Sequence, residues 1–346
     1  MCIQSACLLL LLMFQAVPLR AQPPECNDTS PHTRQFVEVE KGVTLELLDW
    51  GGTGRPIIFL AGSGNTAHIY DDFAPQLTGF GHVYGITRRG FGASSRPETG
   101  YSEQRLADDV LSVMQQLKLS RPVLIGHSMA GEELTRLGRQ HSNLLSGLIY
   151  LAAGSDPTDF PADNKEYMDL ARNLPKAMQG GSPATNADHD SVEAMSRWLD
   201  NRVHVHFPLG EICASNLITA EGRVEDFADE DRVHKLIGEG AQKRDYSEIS
   251  VPILDFVDAD CPEKPPSDVV CITNRNPDYQ PKNDQERNAI DAFWSATDVY
   301  IYRWMDQMRN AKAPVRFIAI PRSNHYVFMK NTSEVTREMA VFLKGL

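Results

Sequence analysis

Short apolar runs recur along the chain, separated by polar or amphipathic stretches. Near the start, FVEVEKGVTLELLDWG (36–51) alternates apolar and polar residues, which predicts half-buried antiparallel strands. The later runs contain few polar positions, which predicts strands covered on both faces of a sheet. These runs are RPIIFLAG (55–62), HVYGITRRG (82–90), PVLIGHS (122–128), LLSGLIYLAAG (144–154), VPILDFVDAD (251–260) and VRFIAI (315–320).

Helical periodicity occupies several intervals between these runs. Apolar residues at 106, 110, 113, 114 and 117 recur at the spacing of one helix face. Further helices are predicted at ELTRLGRQ (133–140), YIYRWMDQM (300–308) and SEVTREMAVFLKGL (333–346). Strands that alternate with helices in this way predict an α/β protein with a mostly parallel sheet.

The alternation stops between residues 156 and 249. This stretch is polar and rich in helical patterns, and it contains no convincing buried strand. We therefore expect an inserted helical cap over 156–249, with one catalytic core formed by 35–155 and 250–346.

Composition narrows the class of protein. The 346 residues are 42% apolar and 23% charged, which is typical of a globular chain and unlike disordered, collagen-like or coiled-coil proteins. The formal net charge of -12 disfavours partners that need clustered positive charge, namely nucleic acid and anionic membranes. We expect a small-molecule partner, and the sequence leaves the oligomeric state open.

The N-terminus resembles a secretory signal. Residues 6–14, ACLLLLLMF, are apolar and uncharged but too short to span a bilayer, and Ala21 offers a small residue for cleavage. We expect a signal peptide over 1–21, a flexible leader over 22–34, a secreted or periplasmic location and no stable membrane insertion after cleavage.

Four cysteines remain after that cleavage, at positions 26, 213, 261 and 271. In an exported chain they permit two disulfides, with three possible pairings, of which the short 261–271 loop is the easiest to close. Zinc is disfavoured because there is no C-x-x-C pair with a nearby histidine, and we expect no metal.

The segment PVLIGHSMAG places Ser128 between a buried strand and a predicted helix. A strand-to-helix turn this sharp needs small neighbours, which Gly126, Ala130 and Gly131 supply. The pattern is typical of a nucleophile elbow, usually G-x-S-x-G, with Ala130 at the second glycine position. The turn exposes the serine hydroxyl above the carboxyl edge of the sheet.

At this point the chain resembles the α/β-hydrolase fold superfamily over nearly everything after the leader. FLAGSG (59–64) is similar to the turn after the third strand, with Ala61 where the family usually has histidine. TRRGFGASSRP (87–97) is similar to the stretch after the fourth strand, with Thr87 where the family usually has aspartate. RSNHYVF (322–328) resembles the loop of the catalytic histidine. The resemblance implies an eight-stranded type of sheet with helices on both faces.

A serine hydroxyl needs an adjacent base, and His325 lies downstream of Ser128 in the order that this fold uses. The family places the third member of the triad after the seventh strand, where Asp260 falls, with Asp258 close by and Asp255 within the strand. Some members instead place it after the sixth strand, where Asp156 and Asp159 lie slightly beyond the matching position, with Asp156 the alternative to Asp260. We favour Asp260.

The resemblance implies an oxyanion hole made of the backbone N–H groups of Ser63 and Met129. An aspartate nucleophile, as in epoxide hydrolases of this fold, is disfavoured because the elbow carries serine. The glycines of GGTGRP (51–56) precede a strand rather than open a helix, so we expect no dinucleotide or other cofactor.

The expected function is an exported serine hydrolase of small or medium carboxylic esters, acting through an acyl-enzyme. The same triad could serve an amidase, peptidase or lactonase, and a catalytically silent binding protein is the alternative of another class. Apolar cap residues would supply an acyl or alcohol pocket, from Met168, Met178, Met195, Trp198 and Phe207.

Overall fold

Strands and helices alternate through the computed structural model, which describes residue 26 and residues 28–159, 164–180, 182–274 and 276–346. The strands are β1 Thr33–Glu40, β2 Val43–Gly51, β3 Pro56–Leu60, β4 His82–Ile86, β5 Val123–His127, β6 Gly147–Leu151, β7 Leu217–Ile218, β8 Val224–Glu225, β9 Ile253–Val257, β10 Val269–Cys271 and β11 Val315–Ala319. The helices are α1 Glu103–Gln116, α2 Gly131–His141, α3 Lys165–Asn173, α4 Val192–Val203, α5 Leu209–Ser215, α6 Glu230–Gly240, α7 Asp284–Met308, α8 Val327–Lys330 and α9 Thr332–Lys344. The predicted signal peptide lies outside the described residues.

One sheet of nine strands runs in the order β1-β2-β4-β3-β5-β6-β9-β11-β10. The pairs β1–β2 and β2–β4 are antiparallel, and every pairing from β4 to β10 is parallel. The predicted α/β-hydrolase fold with a mostly parallel sheet is confirmed. Because parallel strands end at the same edge, the loops after β3, β5, β9 and β11 meet there.

The sheet separates two apolar layers because successive residues of a strand point to opposite faces. Ile57 and Phe59 pack with α9 on one face, and Ile58 and Leu60 pack with α1, α2 and α7 on the other. All four side chains are buried. The continuous apolar runs of the sequence thus form strands covered on both faces.

The ninth strand, β10, was not predicted. It lies in the polar stretch 261–284 and pairs in parallel with β11 at the edge of the sheet. Cys271 ends β10 and forms a disulfide with Cys261. Only Val269 and Val270 precede this cysteine as apolar residues, which is too short a run to predict a strand.

The stretch 156–249, hereafter the inserted segment, contains α3 to α6 and a β7–β8 hairpin that the sequence did not predict. A second disulfide joins Cys26 to Cys213 in α5. Residues 33 and 34, predicted in the leader, are the first residues of β1. The disulfide therefore links the residues that precede β1 to the inserted segment.

Candidate active site

Ser128 follows β5 directly and lies before α2, at the carboxyl edge of the sheet. Its φ of 54° is in the left-handed region, which side chains rarely adopt. A Cβ on Gly126 would lie 2.7 Å from Leu134, and one on Gly131 would lie 2.0 Å from the Ala153 carbonyl oxygen. The tight backbone packing of this turn explains why small residues surround the serine.

The turn after β3 packs against this elbow. A Cβ on Gly62 would lie 3.2 Å from the Ser128 Cβ, which places the backbone of 62–63 beside the serine. The buried Arg88 donates hydrogen bonds to the carbonyl oxygens of Ala61 (3.0 Å) and Gly62 (3.5 Å). Because a trans peptide directs its C=O and N–H to opposite sides, the Ser63 N–H points away from Arg88.

Two buried side chains hold the loop after β4 against this turn. Arg88 Nε donates to Glu133 Oε1 in α2 at 2.6 Å. Thr87 Oγ1 donates to Glu46 Oε2 at 2.8 Å and accepts from the Ala67 N–H at 3.0 Å. Thr87, which departs from the family's aspartate, thus bridges β2 and the turn after β3.

His325 lies in the loop between β11 and α8, next to His127 of β5. The two rings are 4.7 Å apart between centroids, and His127 Nε2 donates to the His325 carbonyl oxygen at 3.0 Å. His127 thus positions the backbone that carries His325. Part of His325 is open to solvent, but the protein atoms around its imidazole desolvate it and lower its pKa.

In the described part of the chain, neither the Ser128 hydroxyl nor the His325 imidazole has a hydrogen-bond partner. Catalytic hydrogen bonds are often long without substrate and tighten only in the substrate complex. The elements therefore bring the two residues to the same edge of the sheet, without a formed hydrogen bond between them.

Asp258 is the acidic residue at the end of β9 that faces the histidine loop. It lines a cavity together with His325, and its Oδ1 accepts the Ser323 N–H at 2.8 Å, two residues before the histidine. Desolvation, together with the negative charges of Asp298 and Asp260, raises the pKa of Asp258 well above its ordinary value.

Asp260, the residue favoured from the sequence, has other neighbours. Its carboxylate is 40% exposed and lies 3.6 Å from Arg322, and its backbone N–H donates to Asp298 at 3.1 Å. Asp260 does not line the cavity that contains His325. The backbone of Asp260 meets α7, where its N–H donates to Asp298 and its carbonyl oxygen accepts from the Tyr302 hydroxyl, and its carboxylate lies near Arg322.

The alternative acid, Asp156, is buried and fully engaged. Its Oδ1 accepts from the Thr158 N–H and hydroxyl, and its Oδ2 accepts from the Arg244 N–H at 3.1 Å. These bonds attach the start of the inserted segment to its end. They occupy both carboxylate oxygens of Asp156, which does not line the cavity that contains His325.

A cavity of about 210 Å³ adjoins His325. Its walls come from the ends of β6 and β9 and from Ile301, Trp304 and Met305 of α7. Desolvation raises the pKa of Asp255, which also lines this cavity, to about 7. The sequence predicted only the last part of α7, residues 300–308, and not its position beside the histidine. A helical pattern does not specify which part of the protein a helix face contacts.

The inserted segment contacts the site at two places. The fully buried Glu211 accepts hydrogen bonds from Asn65 Nδ2 (2.9 Å) and Thr66 Oγ1 (2.5 Å), just after the turn that carries Ser63. On the other side, α6 places His234 about 3.8 Å from where a Gly64 Cβ would lie. Neither residue was predicted from the sequence to belong to the site.

The five apolar residues predicted to line a pocket from the inserted segment have different surroundings. Met195 and Phe207 are buried in the core, and Trp198 is packed against it. The Phe207 ring lies 4.9 Å from the ring of Tyr326, which follows His325. Met168 and Met178 are half-buried on α3 and in the turn after it.

The comparisons agree with this architecture. A model of the alpha/beta hydrolase family matches residues 57–338, and the chain belongs to this family. Hydrolytic activity on a small molecule is consistent with the family. Among the helices that the structure describes, none combines the length and the apolar character needed to traverse a bilayer.

Curated relatives match part of the chain. The AB hydrolase superfamily protein YisY of Bacillus subtilis (strain 168) is 35% identical over 122 residues, covering 35% of this chain and 45% of the relative. The non-heme chloroperoxidase CPO-A1 of Kitasatospora aureofaciens is 34% identical over 115 residues, covering 32% of this chain and 41% of the relative. The chain thus spans less than half the length of these relatives.

Solved structures share the fold over most of the chain. That of E-2-(acetamidomethylene)succinate hydrolase superposes with a TM-score of 0.62 at 15% identity, covering 90% of this chain and 99% of the other. That of a membrane phospholipase A, a bacterial virulence factor, superposes with a TM-score of 0.59 at 16% identity, covering 91% and 87%. At this identity they establish the fold alone.

Proposed function

We propose that this protein is a serine hydrolase that cleaves small or medium carboxylic esters through an acyl-enzyme. The observation that carries the proposal is the elbow itself. Ser128 has a left-handed backbone at the carboxyl edge of the sheet, and the Gly62–Ser63 turn packs against its Cβ. Such a turn exposes a hydroxyl beside backbone donors, which is the arrangement that acyl transfer requires.

In the proposed reaction, Ser128 Oγ attacks the ester carbonyl while His325 accepts its proton. The N–H groups of Ser63 and Met129 stabilise the oxyanion. His325 then protonates the leaving alcohol, and a water molecule releases the acid by the reverse sequence. Desolvation lowers the pKa of His325, so the imidazole is neutral and able to accept a proton at neutral pH.

We assign the third position of the triad to Asp258 in place of Asp260. Asp258 lines the same cavity as His325 and accepts a hydrogen bond from the histidine loop. An imidazolium that forms beside Asp258 would favour the ionised carboxylate, which offsets the desolvation that raises the pKa of Asp258 in the resting site.

The cavity beside His325 supports a small substrate group. Its volume of about 210 Å³ is below that of pockets that hold drug-sized ligands, about 300–1,000 Å³. The α7 side chains Ile301, Trp304 and Met305 give it an apolar wall. We propose that this cavity receives the acyl or alcohol group, with the inserted segment acting as a cap through Glu211 and His234.

The test is covalent labelling by a fluorophosphonate probe. We expect one adduct, mapped to Ser128 by mass spectrometry, and hydrolysis of short p-nitrophenyl acyl esters. Ser128→Ala should abolish both, with an unchanged circular dichroism spectrum, whereas Ser112→Ala on α1 should leave both unchanged. Folded wild-type protein that neither labels nor turns over esters would favour a catalytically silent binding protein.

Amides and lactones share the acyl-enzyme route, so the bond that is cut needs its own measurement. Turnover of an ester, an amide and a lactone with matched acyl groups should rank the ester first by kcat/KM. A preference for the amide or the lactone above about tenfold would reassign the substrate class while leaving the labelling of Ser128 intact.

We further propose that the chain is exported after removal of residues 1–21. The apolar, uncharged stretch at 6–14 supports this, as does the presence of two disulfides, which persist in oxidising compartments. Mass spectrometry of the protein recovered outside the cytoplasm should give a mature chain that begins near Gln22. Retention of the intact N-terminus in the cytoplasm would contradict export.

A further inference from the structure

Two aspartates and two histidines converge on the side of the fold where the residues before β1 meet the turn after β3. They are Asp28, His32, His68 and Asp71, hereafter the His–Asp cluster. One ligand atom from each lies within 4.8 Å of all the others. The cluster is outside the proposed active site, and no metal was expected from the sequence.

The distances within the cluster are slightly shorter than those between the ligands of one ion. His68 Nδ1 lies 3.1 Å from Asp28 Oδ2 and 3.0 Å from Asp71 Oδ2, and His32 Nδ1 lies 3.1 Å from Asp71 Oδ1. Tetrahedral zinc with bonds of about 2.0–2.2 Å separates its ligand atoms by roughly 3.3–3.6 Å. Small adjustments of the side chains would therefore admit the ion.

The polar atoms of the cluster are buried without a full set of partners. Among the described residues, Asp28 Oδ2, His32 Nδ1 and Asp71 Oδ1 make no hydrogen bond of good geometry, although each lies 3.1 Å from another polar atom of the cluster. The His32 and Asp71 side chains are only 8% and 2% exposed. Unsatisfied polar atoms at this depth are costly unless something unseen, such as an ion, binds them.

Charge also favours a dication. An imidazole that binds a metal ion must be neutral, so in a loaded site the two carboxylates of the cluster would carry a charge of about -2, which a divalent ion neutralises. A third carboxylate, Glu46, lies 3.6 Å from His68 Nε2 on the far side of the ring. A carboxylate behind a ligating imidazole is the usual outer partner of a zinc ligand.

We propose that the His–Asp cluster is a structural site for a first-row divalent cation, with zinc the preferred ion. Two imidazole nitrogens and two carboxylate oxygens form a donor set that suits zinc, whereas calcium takes six to eight oxygens. The site is closed, because a Cβ on Gly210 of α5 would lie 2.5 Å from Asp71 Oδ2 and 2.8 Å from Asp28 Oδ2.

The ion would join three parts of the chain. Asp28 and His32 precede β1, His68 and Asp71 follow the turn that carries Ser63, and α5 of the inserted segment covers the cluster. The Cys26–Cys213 disulfide already connects the first and third of these. Asp28 and His32 already form ion pairs with His68 and Asp71, and the cation would strengthen this link to the second part without taking part in the proposed reaction.

The test uses the disulfide-bonded wild-type chain without an affinity tag, purified without chelator. Mass-spectrometric metal analysis should find about one zinc per chain. Removal of metal by a chelator should lower the Tm by about 5 °C, and added zinc should restore it. Cobalt(II) should bind at one equivalent and give the absorption bands of a tetrahedral site.

Matched variants locate the ion. The double variant His32→Asn/His68→Asn should lose the bound zinc and the cobalt bands. The control is His82→Asn, which should keep both, because the His82 imidazole pairs with Asp49 at 2.8 Å in another part of the sheet. Ser128→Ala should bind zinc as the wild type does, so this test does not depend on the proposed hydrolase activity.

Three results would overturn the proposal. One is folded wild-type protein that contains no zinc and binds neither zinc nor cobalt at micromolar concentration. In that case a proton shared within the cluster would stabilise its carboxylates without a metal ion. Another is zinc retained by the double variant, which would place the ion elsewhere. The third is a Tm raised by calcium but not by zinc, which would exclude the proposed class of ion.

Discussion

Two aspartates separated by a single residue have different environments at the end of β9. Asp258 is held by the Ser323 N–H of the histidine loop, and Asp260 lies near Arg322 and Asp298. An acid orients a catalytic imidazole only if its carboxylate faces that ring. Proximity in sequence therefore does not make the two residues interchangeable.

The assignment predicts a large difference between two isosteric variants. Asp258→Asn should lower kcat about 10³–10⁴-fold, because the amide cannot stabilise the imidazolium or hold the correct tautomer. Asp260→Asn should lower it less than about threefold, because its partly exposed ion pair contributes little. Steady-state kinetics on one p-nitrophenyl ester measures both. The reverse order of effects would restore Asp260 as the triad acid.

At the scale of elements, the site depends on how closely two turns approach each other. The turn after β3 and the elbow after β5 belong to adjacent parallel strands, so their backbones meet at the sheet edge. Glycine at 62 permits this contact, since any Cβ would lie 2.8 Å from His127 Nδ1. Arg88 holds the same turn from behind through the Ala61 carbonyl.

Gly62→Ala should therefore damage catalysis more than folding. The added methyl group would displace the turn or the elbow by a fraction of an ångström and misalign the Ser63 donor, lowering kcat by roughly 10–100-fold. The control is Gly79→Ala, where a Cβ would meet nothing within 4 Å. Kinetics and thermal melts of the pair check this, and equal kcat in both variants would argue against the Ser63 oxyanion hole.

At the scale of the whole molecule, the sheet buries an ionisable group in its centre. Asp255 is 1% exposed in β9 between β6 and β11, and desolvation raises the pKa of its carboxyl to about 7. The folded chain thus binds a proton here between about pH 4 and pH 7 that the unfolded chain does not bind. Stability from this group is present at acid pH and declines as the pH rises through 7.

Asp255→Asn should remove that pH dependence, because the amide does not ionise. Relative to wild type, the variant should be more stable at pH 8 than at pH 5: the difference in the free energy of unfolding, variant minus wild type, should be larger at pH 8 by an amount on the order of 3 kcal/mol. Urea unfolding at the two pH values measures this. The control is Asp306→Asn, whose side chain is 73% exposed and which should show the pH dependence of the wild type. If Asp255→Asn also showed the wild-type pH dependence, Asp255 would not be the buried group that binds the proton.

Much of the fold could be predicted from local patterns. The runs at 57–60, 123–127 and 147–151 became central strands because a continuous apolar stretch can be satisfied only between two covering layers. Ser128 and His325 were selected by their positions after such strands, and they remain predictions until they are tested. The β10 strand was missed because an edge strand that pairs on one side needs only a few residues.

The sequence was sufficient to predict the local properties of this protein. These are the order of the elements along the chain, the alternation of strands and helices, and the turn that carries the serine. Three features depend instead on long-range packing. Asp258 faces the histidine loop, α7 forms a wall of the cavity, and the His–Asp cluster brings Asp28 and His32 to His68 and Asp71. Such contacts join residues whose separation in the chain carries no periodic signal. Only the tertiary structure, which specifies how loops continue beyond the strands, could decide them.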